Sequence, residues 1–227
     1  MRSPPDIYAS APLKRLRDDQ TRALLPELQR CAGDHALMLS ASADDLPPVL
    51  PLLGFWTRLW VSPDRYQGDL LAATDTPLPF ADDAFQLVLI RHAQEVVPQV
   101  SLLLAEAVRV LEPGGTLALA GVHPISGWTP WLQWRARHAP PVMHMPLRLR
   151  QILRRAGLQI VRGWRVGGLL PHETALSGIN IKACGGGYVL LARKQRLAVI
   201  PLRSRRASIS HAANGRLSPS VRRSAIL

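Results

Sequence analysis

Cysteine is almost absent from this chain of 227 residues. Cys31 and Cys184 are too few for a disulfide framework, and neither has metal-ligating neighbours at a useful spacing. Long apolar runs are missing too. No stretch approaches the roughly 18 uninterrupted apolar residues of a membrane span, and the opening MRSPPDIYASAPLKRLRDD lacks the apolar region of a secretory signal. These absences predict a reduced, cytoplasmic chain with no membrane span. Lysine is scarce, 3 against 25 arginines, a bias that codon usage explains before phosphate chemistry does. Acidic residues stop at Glu173. Residues 1–173 carry 18 basic and 16 acidic side chains, whereas 174–227 carry 10 basic and none acidic. The charge of +12 therefore belongs to the end of the chain, and the body is close to neutral.

What is present is ordinary for a globular protein. A hydrophobic content of 47% excludes a wholly disordered chain, and about 200 residues bury roughly 70% of their unfolded surface without staples. The length allows one full-size domain with appendages. Residues 1–33 read as an arm and a helix, 34–203 as the domain, and 204–227 as a basic disordered tail. In the helix, predicted over 13–31, Leu16, Leu24, Leu25 and Leu28 form the buried side, and Pro26 predicts a break or kink. Apolar runs at 36–39 and 58–61 predict strands. Between them, Pro47, Pro48 and Pro51 leave room for one helical turn at most.

The clearest stretch is 78–121. The turn PFADDAF leads into LVLI, a continuous apolar strand at 87–90. Val100, Leu103, Leu104, Ala107, Val108 and Leu111 then form one helical face without a mismatch. Pro113, Gly114 and Gly115 stop the helix, and TLALAG resumes as a strand. Strands apolar on both faces with a helix between them indicate a parallel, right-handed βαβ unit buried on both sides. A basic amphipathic helix at 147–156 is closed by Gly157, and strands at 158–164 and 188–194 form a hairpin. The pattern is α/β, a three-layer sandwich, with the last strand antiparallel.

The run LPFADDAFQLVLIRHAQEVVPQVSLLLAEAVRVLEPGGTLALAG resembles the second half of a class I S-adenosylmethionine-dependent methyltransferase. It carries Leu78-Pro79-Phe80, Phe85, Arg109-Val110-Leu111 and Pro113-Gly114-Gly115 as that family does; HPIS at 123–126 and GYVLLARK at 187–194 extend the likeness. The resemblance implies a Rossmann-like, mostly parallel seven-stranded sheet, S-adenosylmethionine as cofactor, and a small acceptor. By topology the cofactor would lie beyond the carboxyl ends of the parallel strands, at the loops after 39, 61 and 90. The positions so implied are Ser40, Ala41 and Ser42 after the first strand, Ser62 after the second, Asp75 with Thr76 on the adenine side, and Arg91.

The sequence departs from the family at two of these places. The first loop, Ser40–Asp45, contains no glycine and brings Asp44 and Asp45 towards the position of a carboxylate. Any turn there needing positive φ costs about 1 kcal/mol or more. At the end of the second strand Ser62 or Val61 stands where the family places an acid that grips the ribose hydroxyls. These departures predict weak cofactor binding. No catalytic residue is identified, which methyl transfer tolerates because positioning does most of the work. A second reading is an inactive scaffold, and a third is contact with nucleic acid through Arg203, Arg205, Arg206, Arg216, Arg222 and Arg223.

Other features carry two readings each. Trp128, Trp131 and Trp134 either line an acceptor pocket or pack a cap helix on the body. His123, His138 and His144 either serve as a base or sit on the surface or a pocket wall, and Met143-His144-Met145 only faintly suggests a soft metal site. Cys184 is either a reactive thiol or an ordinary loop cysteine.

Overall fold

The structure, a computed structural model, describes residues 6–137, 140–171 and 185–196. The tail, His138 and Cys184 lie outside the described residues.

A 3-10 turn, Ile7–Ala9, leads into helix α1, Ala11–Leu28, with Pro12 in its first turn. The expected break at Pro26 does not occur. Proline here removes one hydrogen bond within the final turn, and the burial of Leu24 and Leu28 holds that turn in place. Strand β1, Gly33–Ser40, follows, then β2, Leu53–Val61, paired to it in parallel. Both run further towards their amino ends than the apolar runs indicated, because β1 opens with exposed Asp34 and His35 and β2 with exposed Gly54 and Phe55. The connection 41–52 contains no helical turn.

Beyond β2 lie two strands that the sequence did not signal: β3, Arg65–Gly68, and β4, Ala72–Ala73. They pair antiparallel and bring the sheet to eight strands instead of seven. Both are too short for periodicity to detect. Next come β5, Phe85–Arg91, the single turn α2, Ala93–Val96, and α3, Val100–Val110. β6 then spans Leu111–Val122. The helix stops two residues before Pro113, because proline disfavours helical backbone in the residue preceding it. Helices α4, Trp128–Arg135, and α5, Pro146–Arg155, precede β7, Leu158–Val166, and β8, Gly187–Lys194.

The sheet order is β4-β3-β2-β1-β5-β6-β8-β7. The four central strands are parallel and both margins antiparallel. Alternate residues of the strands feed two cores. On one face Leu37, Val88, Ile90, Leu117 and Leu190 pack against Leu103, Leu104 and Ala107 of α3 and Leu149 and Leu153 of α5. On the other, Ala36, Leu87, Leu89, Ala118 and Val189 meet Leu24 and Leu28 of α1. This is the expected three-layer α/β sandwich. Among the described residues no helix is long and apolar enough to cross a membrane.

Tyr66 on β3 is buried against the α3 face, and burial, with Glu106 nearby, pushes its phenol up to about 12. A phenol raised in the folded state stabilises fully below its unfolded value near 10 and loses that contribution as pH rises towards 12. Of the stability lost in urea unfolding between pH 9 and pH 11.5, about 1–3 kcal/mol should be the share of Tyr66, since each tenfold change in the proton equilibrium is worth about 1.4 kcal/mol. Tyr66→Phe should reduce that loss. An unchanged loss in the variant would remove Tyr66 as a contributor.

Candidate active site

The carboxyl ends of β1, β5 and β6 are polar and closed. After β1, Ser40 Oγ donates to the Ser42 carbonyl at 2.6 Å, and Ser42 Oγ donates to Asp6 Oδ2 at 2.6 Å. The Ala41 amide donates to the Arg91 carbonyl at 3.0 Å. Hydroxyls thus close a loop that carries no glycine. None of its residues adopts positive φ, so the strain expected in this loop is absent.

Asp45 is buried in this loop instead of repelling a ligand from its surface. Arg91 Nη1 lies 2.8 Å from Asp45 Oδ1 and Arg17 Nη1 lies 3.6 Å from Oδ2, all three side chains being less than a tenth exposed. Arg91 Nη2 donates to Thr21 Oγ1 at 3.0 Å. Nearer the surface, Lys14 faces Asp44 at 3.5 Å. The guanidinium at the end of β5 is therefore committed to the protein's own carboxylate and to α1.

The next residue, His92, sits at φ 58, a region that non-glycine residues enter at a cost. Its Nδ1 is 3.2 Å from both oxygens of Glu95, and its Nε2 is 3.1 Å from Gln20 Oε1. Glu95 accepts from the Val122 amide at 2.6 Å and from the Tyr8 hydroxyl at 2.9 Å. Gln20 Nε2 donates to the Gly121 carbonyl, and Gln94 Nε2 donates to the Ala120 carbonyl. Burial, then the charge of Glu95, holds the phenols of Tyr8 and Tyr188 well above their ordinary values. This network was not read from the sequence. Its signal is the polar run His92-Ala93-Gln94-Glu95 placed directly after an apolar strand.

Of the positions implied by resemblance, Ser40, Ala41, Ser42 and Arg91 come together. Ser62 is half-buried at the end of β2, its amide donating to the Arg65 carbonyl. Asp75 and Thr76 are exposed in the loop after β4, where Thr76 Oγ1 donates to the Ala73 carbonyl. The three tryptophans do not share a face. Trp128 is buried with Nε1 donating to the Gly168 carbonyl, Trp131 packs beside it, and Trp134 is 58% exposed. A spacing of three and then six residues turns the last ring about 120° away from the first. His123 is half-buried and its Nδ1 accepts from the Ile125 amide; burial and then Arg165 lower its pKa. His144 is buried and lowered by burial and then by Arg148. Among the described residues no three potential metal ligands come together.

The residues fit S-adenosylmethionine poorly. Asp45 and Arg91 satisfy each other, and the end of β2 offers a hydroxyl in place of a carboxylate. We therefore derive no methyl-transfer step through it.

Sheet order and layers define a class I methyltransferase fold. A structure from Listeria monocytogenes, named as a putative S-adenosylmethionine-dependent methyltransferase, superposes with a TM-score of 0.51 at 12% identity, over 78% of this chain and 98% of that one. An S-adenosylmethionine-dependent methyltransferase from Thermotoga maritima, described as a possible histamine N-methyltransferase, gives 0.50 at 18%, over 80% and 94%. Residues 60–119 match the methyltransferase domain family. Over 54 residues the chain is 43% identical to phthiotriol/phenolphthiotriol dimycocerosates methyltransferase 1 of Mycobacterium ulcerans, covering 24% of this chain and only 20% of that protein. Over residues 60–119 the chain is thus similar to the methyltransferase domain family, and its fold is that of the class I methyltransferases.

Proposed function

We propose that the chain has a methyltransferase-like function at the carboxyl ends of β1, β2 and β5, with S-adenosylmethionine as a weakly held cofactor and a small molecule as acceptor. The observation that carries weak binding is the buried Arg91–Asp45 pair, which fills the polar capacity of the loop after β1 from within. Ser62 adds to it. Losing a charge-assisted bidentate contact removes about 1.5–3 kcal/mol, which at about 1.4 kcal/mol per power of ten weakens affinity by one to two powers. Opening the Asp45 loop to admit a ligand would cost more. A cofactor held at micromolar strength by a relative with the glycine loop and the ribose acid is expected near millimolar here.

Calorimetric and thermal-shift titration with S-adenosylmethionine tests this. At about 1 mM cofactor the stabilisation should stay under about 1 kcal/mol, and Ser62→Asp should tighten binding about tenfold. A large thermal shift at micromolar cofactor would refute weak binding.

An inactive scaffold is the second reading, and the amino-terminal segment favours it. Asp6, Tyr8 and Gln20 supply hydrogen bonds to Ser42, Glu95 and His92 that a ligand would otherwise make. If several millimolar cofactor gives no heat, in the parent and in Ser62→Asp alike, the scaffold reading stands.

A further inference from the structure

At the opposite end of the sheet, away from the loops just described, lies an open cleft of about 660 Å³. Gly114, Gln159, Arg193, Lys194, Gln195 and Arg196 line it. The topology gathers these residues. β8 ends where β7 begins, with Gln159 opposite Arg193 and Leu158 opposite Lys194. The last turn of α5 adds Arg154 and Arg155 beside the start of β7. Lys194 is spent on Asp83, at 2.7 Å, and on the carbonyls of Val108 and Leu111. The arginines are not. Among the described residues Arg154, Arg155, Arg162, Arg193 and Arg196 form no ion pair, and all five are exposed.

Codon usage explains arginine in place of lysine but not the absence of acids. Between Glu112 and Glu173 the chain carries Arg135, Arg137, Arg148, Arg150, Arg154, Arg155, Arg162 and Arg165 and no aspartate or glutamate. Elsewhere in the body acids and bases alternate and pair. Unbalanced charge of this density repels itself and costs stability unless an anion answers it.

Further along β7, the guanidinium carbon of Arg162 lies over the Trp164 ring, 4.9 Å from its centroid. Guanidinium planes and aromatic rings are the groups on which an unpaired nucleobase stacks. Gly114 completes the cleft at φ 89, a backbone conformation that favours glycine, with the Arg196 guanidinium beside it.

We propose that this surface binds single-stranded nucleic acid, with phosphates along Arg193, Arg196 and the end of α5 and a base stacked on Arg162. Five cations without an acidic partner among the described residues answer several phosphates, so the ligand is a strand. Duplex readout needs an element that enters a groove, whereas a shallow basic cleft beside a stacking platform suits an unpaired strand. The proposal concerns the folded body and not the terminal tail, and it does not depend on cofactor binding.

The test is fluorescence anisotropy of a labelled single-stranded RNA of about twelve nucleotides, within the usual span of such sites, titrated with the full chain at several salt concentrations. In one variant Arg162, Arg193 and Arg196 become Glu. In a second Arg203, Arg205, Arg206, Arg216, Arg222 and Arg223 become Gln, and a third combines both sets. The first variant should lose at least tenfold in affinity, and its slope of log K against log salt should flatten by about 1.4, at about 0.7 for each of the two lost phosphate contacts on single strands. The third should bind as much more weakly than the second as the first does than the parent. If charge reversal lowers the melting temperature, Arg→Gln at the same three positions replaces it, with a smaller loss expected in the same direction. Equal binding by parent and cleft variant would overturn the proposal. So would a cleft effect that disappears once the tail is neutralised, or cleft-dependent binding to phosphatidylglycerol vesicles without binding to RNA.

Discussion

Replacing Arg91 with methionine is expected to cost about 3–5 kcal/mol of folding stability. The guanidinium and Asp45 are each about a twentieth exposed, and they meet at 2.8 Å. Removing the arginine leaves a buried carboxylate facing only Arg17, at 3.6 Å, beyond hydrogen-bond length. The uncompensated charge dominates the cost, since an apolar pair of similar volume is often neutral or stabilising in such a place. The triple variant Arg91→Met, Asp45→Leu and Arg17→Met should therefore recover most of the loss, since Arg17 would otherwise be left buried without its carboxylate. Denaturant unfolding of the three proteins reads both quantities. A single-variant loss below about 1 kcal/mol would mean that the loop relaxes and hydrates Asp45.

A loss of about 3–5 kcal/mol is likewise expected for Glu95→Ala. That carboxylate accepts from the Val122 amide and the Tyr8 hydroxyl and faces His92 Nδ1. Each buried donor left without a partner costs about 1–3 kcal/mol, and the sum is not additive. Tyr8→Phe removes only one of these contacts, so about 1.5–3 kcal/mol is expected, as for hydrogen bonds to charged groups. A cycle built from Tyr8→Phe and Glu95→Gln should show coupling of at least about 0.5 kcal/mol, as groups in contact do. Additive effects would show that the amino-terminal segment is not anchored through Glu95.

The centre of the fold was legible because there each burial surface repeats with a clear period. Val100 to Leu111 follow the helical period, and 87–90 and 116–121 are apolar on both faces, so element type and parallel pairing could be read directly. Short or half-exposed pieces could not be. β3 and β4 are four and two residues long, and the first residues of β2 include exposed Gly54 and Phe55. The family's motif positions name Ser40, Ala41, Ser42 and Arg91, and these residues lie together at the strand ends. What those side chains do there depends on α1, more than 60 positions away from Arg91 in sequence. Asp45 read as a repelling charge because its partners, Arg17 and Arg91, meet it only through the fold. His92 and Glu95 stayed hidden for the same reason: their partners Tyr8, Gln20 and Val122 come from three separate segments.

The place of β8 governs the order in which the sheet is assembled. It is the last described strand, yet it lies between β6 and β7. Until residues 187–194 have been made, β6 has one unpaired side, and β7 has no neighbour within the sheet at all. Both then expose backbone donors and acceptors that could template pairing with another chain. The parallel centre can collapse around α3 beforehand, but the final closure joins segments about 70 residues apart, Val122 with Gly187 and Thr116 with Arg193. Such distant pairing is slow to form because loop closure must precede any gain from it. During synthesis the sheet therefore waits on β8, and the vulnerable interval lasts until residues 187–194 have emerged.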